Sequence, residues 1–197
     1  MDTQRTTETL VQAVESERGA TQRAYEDGPS TGHSSPWIWI APVLFGLIWL
    51  VDAYLKWQPG FQNHFLDIMS DGAKDQPGWL MPWFDFWHAT VAPYAHFCAL
   101  CAALTESFLA FALIVGFARK VTYILGALWS LGIWAVPEGF GHEAMAMSTD
   151  IGTAVIYVMV FIALWALDSV SGPRPHSLDA QIERRLPVWR RIAEVRI

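Results

Sequence analysis

The sequence predicts an all-α fold, a polytopic membrane four-helix bundle with interfacial helices in the first outer loop and in the C-terminal tail. Three observations lead there. The 197 residues are 53 % apolar by type and only 16 % charged, whereas soluble domains carry about 25 % charged residues. Four apolar stretches succeed one another, each with at most one charge. Lys and Arg are divided very unevenly among the segments that join them. A mean hydropathy of +0.25, with eleven Trp and eleven Phe, argues against a disordered chain. A net charge of −6, with no basic run facing a folded soluble surface, argues against nucleic-acid binding. Open sheets cannot span lipid and no alternating ten-residue pattern recurs, which excludes strands.

Residues 1–35 are polar, with Arg5, Arg18 and Arg23 set against six acids. They bury too little apolar surface to offset ordering entropy and read as a flexible cytoplasmic tail, with a short helix around Leu10–Val14. No apolar h-region falls in the first thirty residues, so no signal peptide is expected. Residues 36–170 read as the four-helix membrane domain. Its stretches are Pro36–Leu55, Val91–Ala118, Val121–Val136 and Ile151–Leu167. A crossing helix needs roughly 20 apolar residues, range about 17–25; the third stretch, at sixteen residues, relies on its flanking aromatic and proline residues.

Orientation follows from Lys and Arg. Eleven fall in the N-terminal tail, the Arg119–Lys120 turn and the C-terminal tail, and only Lys56 and Lys74 fall elsewhere. Both termini are therefore expected in the cytoplasm, with loops 57–90 and 137–150 outside. In loop 57–90, Phe61, Phe65, Ile68 and Met69 share a helical face, and Trp79, Trp83, Phe86 and Trp87 follow Gly72. Helices over 61–71 and 82–90 in the outer interface are expected. Residues 171–197 read as a basic amphipathic cytoplasmic tail. Ser177 caps a helix with Leu178, Ile182 and Leu186 on one face, and its arginines suit anionic lipid headgroups at about 1 kcal/mol each.

A few residues carry chemistry. Glu106 lies twelve residues before Ala118, about 18 Å along a helix, near mid-membrane. An intramembrane carboxylate is expensive and reads as functional; the alternative is a protonated Glu hydrogen-bonded to a neighbouring helix, to Ser130 or a tyrosine. Asp52 and Lys56 are spaced for an i,i+4 ion pair. Glu138, His142 and Glu143 follow Pro137 at the end of the third stretch and aim toward loop 57–90. His64, His88, His96 and His142 with nearby acids are metal-ligand types in no recognised spacing, and no metal site is expected. No haem is expected either, since His88 and His96 both sit near the surface. Cys98 and Cys101 make a C-x-x-C without a thioredoxin-like βαβ context and read as part of a small-residue packing face with Ala102 and Ala103.

Three segments give the chain a resemblance. Phe45-Gly-Leu-Ile-Trp-Leu-Val-Asp-Ala-Tyr-Leu-Lys56, Thr105-Glu-Ser-Phe-Leu-Ala-Phe-Ala-Leu-Ile-Val-Gly-Phe-Ala-Arg119, and Gly126 with Asp150-Ile-Gly152 are similar to corresponding parts of DoxX/DoxD-type membrane proteins, over about residues 36–168. The resemblance implies four short helices, a bacterial or archaeal cytoplasmic membrane, and quinone-linked respiratory redox chemistry, with Glu106 and Lys56 as the polar positions carried over. The candidate set is then Glu106, Glu138 and His142 for proton chemistry, and Lys56, Asp52 and Trp134 as contacts for a quinone. The expected partners are membrane lipids and a larger membrane protein complex. The alternative function is a non-catalytic accessory or assembly subunit of such a complex, docked through its Trp-rich loop and tails. A small transporter is disfavoured by the lack of broken helix pairs or inverted repeats.

Overall fold

Long apolar runs bounded by Gly, Pro and charged turns become helices in the computed structural model, which describes residues 37–142, 151–171 and 177–195. Helix α1 spans Trp37–Lys56, α2 Pro59–Asn63, α3 Phe65–Asp71 and α4 Met81–Val91. Helix α5 spans Ala95–Val115, α6 Arg119–Ala135, α7 Thr153–Ser171, α8 Leu178–Glu183 and α9 Arg190–Ala193. No strand occurs among the described residues, and all of them fall within one compact unit. The N-terminal tail, Glu143 and Asp150 lie outside the described residues.

Three stretches are long and apolar enough to cross a membrane: Ile38–Lys56, Met81–Val115 and Thr153–Ser171. The second is longer than the sequence suggested because α4 runs on into α5 through a 3-10 turn at Ala92–Tyr94. Pro93 has no N–H to donate, so the chain tightens there without breaking. The fourth expected span, α6, has 17 residues. Its first turn is spent on Arg119 and Lys120, and it carries the polar Thr122 and Ser130 on its buried face.

Helix α1 packs along α5, and α6 along α7. Phe45, Trp49, Leu109, Leu113, Tyr123, Phe161 and Leu164 form the shared core. Its aromatic rings meet edge-on or tilted, with Phe45 and Phe161 centroids 4.9 Å apart at 70°, a favourable geometry for ring quadrupoles. Gly126 sets the α6–α7 approach: a Cβ there would stand 2.1 Å from the Phe161 ring. The outward faces stay apolar, with Val51, Leu128, Met159 and Val170 more than half exposed.

The loop after α1 is helical where its aromatics recur, though His64 splits the first segment into α2 and α3. Phe65 packs with Val91 at the end of α4 and with Ala99 and Ala102 near the start of α5. Farther along, the Gln76 amide donates to Gly139 O at 2.9 Å and the Trp83 indole donates to Ala135 O at 2.8 Å. The loop is thereby fastened to the end of α6.

The C-terminal segment folds back under the α5–α6 turn. Gly116 ends α5 in the left-handed conformation (φ 66°), the usual helix stop. Ala118 follows at φ 45°, a conformation costly for a residue with a Cβ. Ser177 caps α8 by accepting from Ala180 N, as its position in the sequence suggested. Ala193 is fully buried, and Val195 joins the core of the four long helices.

Candidate functional site

Glu106 is 1 % exposed on α5. A carboxylate in an apolar bundle is tolerated when a counter-charge meets it, and Lys56 supplies one: its ammonium lies 3.4 Å from Glu106 Oε2. The Trp129 indole N–H from α6 reaches Oε1 at 3.4 Å. Lys56 keeps 25 % of its side chain exposed and lies over the Phe61 ring, 5.1 Å from its centroid. The pair therefore runs from the surface into the bundle interior. Lys56 is the last residue of α1, so Glu106, though midway along α5, is level with the end of α1. The i,i+4 pair expected between Lys56 and Asp52 gives way to this tertiary one, because a buried carboxylate needs the cation more than a half-exposed one does. Asp52 faces Tyr157 of α7 instead, and that ring lies within electrostatic range of Asp52, Glu138 and Glu106.

The remaining candidates separate from this centre. Glu138 accepts from Ala154 N with both oxygens, at 2.9 and 3.2 Å, and so caps the start of α7, where a negative charge complements the helix dipole. Trp134 donates to Ile151 O at 2.7 Å and meets Phe140 edge-on. His142 closes the 3-10 turn Gly139–His142; its side chain lies outside the described residues, as does Glu143. Of the six candidates, Glu106 and Lys56 are joined directly and Asp52 lies next to them. Glu138 and Trp134 hold the α6–α7 connection. Cys98 and Cys101 are free and half-buried, with Cys98 packed against the Phe65–Ala99 cluster. Among the described residues no three His, Cys, Asp or Glu side chains converge as a metal-ligand set.

Between α1 and α5, on the outer flank, an open apolar groove of about 510 Å³ is lined by Leu50, Val51, Ala53, Tyr54, Trp57 and Ser107. The Trp57 indole donates to Ser107 Oγ at 3.0 Å, and Ser107 donates to Ala103 O. Lys56, Asp52 and Trp134, the residues expected to contact a quinone, are not among the lining residues.

A second ionic cluster lies at the opposite end, where Arg119, read from the sequence as an orientation signal, meets two acids the sequence did not single out. Arg119, 3 % exposed, donates from Nε to Asp179 Oδ2 at 3.1 Å, and its Nη1 lies 3.5 Å from Asp168 Oδ2. Tyr123 donates to Asp168 at 2.8 Å. Asp179 also accepts from Ala118 N, Arg119 N and the Trp189 indole. It thus caps α6 from sixty positions away in the chain. Asp168 follows directly on an uncharged apolar stretch, and that position is the signal by which it could have been found.

Among the described residues outside the four long helices, Lys74 and Glu183 shift their protonation. The Asp71 carboxylate, 2.6 Å away, holds the exposed Lys74 above its ordinary value. Burial raises Glu183 above the usual carboxylate range, and the neighbouring Glu194 charge adds to the effect. Comparison of the chain with protein-family models, with curated proteins and with solved structures gives no match.

Proposed function

We propose that the chain is an integral membrane subunit of a quinone-linked redox system. In this reading α1, α5, α6 and α7 cross a bacterial or archaeal cytoplasmic membrane, with both termini and the Arg119–Lys120 turn in the cytoplasm. Helices α2, α3 and α4 then carry their aromatics in the outer interface. Helix α6 is about 26 Å long at 1.5 Å per residue, close to the roughly 30 Å hydrocarbon core once Val136 and Pro137 extend it.

The observation that carries the reading is the Lys56–Glu106 pair. An intramembrane carboxylate is rarely kept without a use, and Lys56 links this one to the surface. The groove between α1 and α5 fits a flat apolar ring and an isoprenoid chain, with the Tyr54 hydroxyl as a donor to a ring carbonyl. A bound quinone would supply the electron acceptor; the chain's own part is to hold a proton at Glu106 or Lys56. The test is Glu106→Gln in the intact membrane complex. Quinone-linked turnover should fall while assembly is unchanged, since the amide keeps the shape of the neutral acid.

The accessory-subunit reading has its own support: Glu138 and Trp134 are engaged in holding α6 to α7 and do not converge on Glu106. Full turnover in the Glu106→Gln complex would make it the leading reading.

A further inference from the structure

The C-terminal segment presents two faces. Its inner face is locked to the bundle. The Trp189 indole donates to Asp179 and its ring lies against Phe117 at 5.4 Å, while Ala193 and Val195 are buried. Its outer face is apolar and basic at once. Leu186 is 60 % exposed and Val188 74 %; Arg184, Arg185 and Arg191 are exposed beside them. Arg190 is occupied by Glu183 and Glu194 at 3.8 and 3.7 Å. The other three arginines have no carboxylate partner among the described residues. Free exposed guanidinium groups around exposed aliphatic side chains match an environment that is anionic and apolar side by side. That environment is the boundary of a bilayer, where phosphates meet guanidinium groups and acyl chains take up the aliphatic residues.

We propose that residues 184–191, held in place by Asp179 and Trp189, form a binding face for anionic phospholipid headgroups, with Arg184, Arg185 and Arg191 on the phosphates and Leu186 and Val188 inserted beside them. The site rests on the membrane reading given above and adds a lipid class and a positioning residue to it. Helix α9 packs on α6 and Val195 joins the core of the long helices, so the segment is held against the end of the bundle that the membrane reading puts at the inner headgroup layer. Asp179 acts through Trp189: without its acceptor the indole loses its anchor, and the turn that joins Arg185 to Arg191 is no longer held to the bundle.

The test uses the full chain reconstituted in phosphatidylcholine vesicles containing spin-labelled phosphatidylglycerol or spin-labelled phosphatidylcholine. The association constant for phosphatidylglycerol relative to phosphatidylcholine should exceed unity, and should fall by about fivefold per arginine replaced by Gln at 184, 185 and 191. These side chains are exposed, so the triple variant keeps its fold. Asp179→Asn, with every arginine present, should lower the ratio as well, and Trp189→Phe, which keeps an aromatic ring beside Phe117 and removes the indole donor, should do the same. Millimolar inorganic phosphate should leave the preference unchanged; competition at that level would mean a simple anion site and overturn the lipid assignment. A ratio of unity in the wild type, or one indifferent to the triple substitution, would overturn the proposal while leaving the membrane reading intact. Failure of the chain to float with vesicles would remove both.

Discussion

Asp179 and Arg119 meet at 3.1 Å with side chains 0 % and 4 % exposed, and through that contact a C-terminal segment caps a helix that begins sixty residues earlier. Breaking a buried ion pair by removing one partner costs about 3–5 kcal/mol, because the other charge stays buried. Asp179→Ala should therefore release α8 and α9 from the bundle and raise amide exchange across residues 178–195. Asp168, 3.5 Å from Arg119, moderates the loss. Unchanged exchange would mean that Ala193 and Val195 hold the segment by apolar contact alone.

The Lys56–Glu106 pair makes a prediction about coupling. Lys56→Met and Glu106→Gln should each lower thermal stability in detergent. The double variant should lose less than the two singles together, by about 1–3 kcal/mol, as expected for residues in contact. Additive losses would indicate that the ammonium and carboxylate do not interact.

Two glycines of α6 should respond oppositely to Ala. At Gly126 the new methyl meets the Phe161 ring at 2.1 Å, whereas at Gly132 nothing lies within 4 Å. Gly126→Ala should destabilise by about 1–3 kcal/mol through overpacking, and Gly132→Ala should stabilise by about 0.5–1 kcal/mol through helix propensity. Melting temperatures measured side by side in one detergent decide it. Equal effects would contradict the α6–α7 contact.

Glu183 predicts a pH dependence for the docked tail. Its carboxyl titrates above the usual range when folded, through burial and then Glu194, so the folded state binds the proton more tightly than the released one. Docking should strengthen as pH falls from above the raised value toward the ordinary value near 4.5, and the gain should be complete below it. Amide exchange of residues 189–195 across that interval is the measurement. Glu183→Gln should flatten the profile; a profile of the same slope in that variant would place the titration elsewhere.

Glu138 predicts a capping effect. Glu138→Ala removes both acceptors for Ala154 N and should cost about 1 kcal/mol of stability without changing any activity that depends on Glu106. Loss of that activity with stability retained would return Glu138 to the candidate site.

The helices, and the ends of most of them, were legible from local chemistry. Apolar runs of helical length, Gly116 as a stop and Ser177 as a cap are all local signals, and each appears where the chain places it. Loop 57–90 was legible for the same reason, since aromatic spacing specifies a helical face without reference to the rest of the fold. Glu106 was legible as well, because one acid in a long apolar run stands out in any arrangement.

Partners were not legible, because a side chain's counter-charge depends on which helix lies beside it. Asp52 and Lys56 satisfy the spacing of a local pair, yet the buried Glu106 draws Lys56 away, since desolvation makes the interior carboxylate the one that needs it. Glu138 reads like a catalytic acid and serves as the cap of α7. Arg119 reads like a topology signal and is enclosed by Asp168 and Asp179. The sequence by itself determined where helices form and which residues are too polar for their surroundings. Only the tertiary structure decided how those residues neutralise one another, because Coulomb and hydrogen-bond energies act over a few Å between segments far apart in the chain.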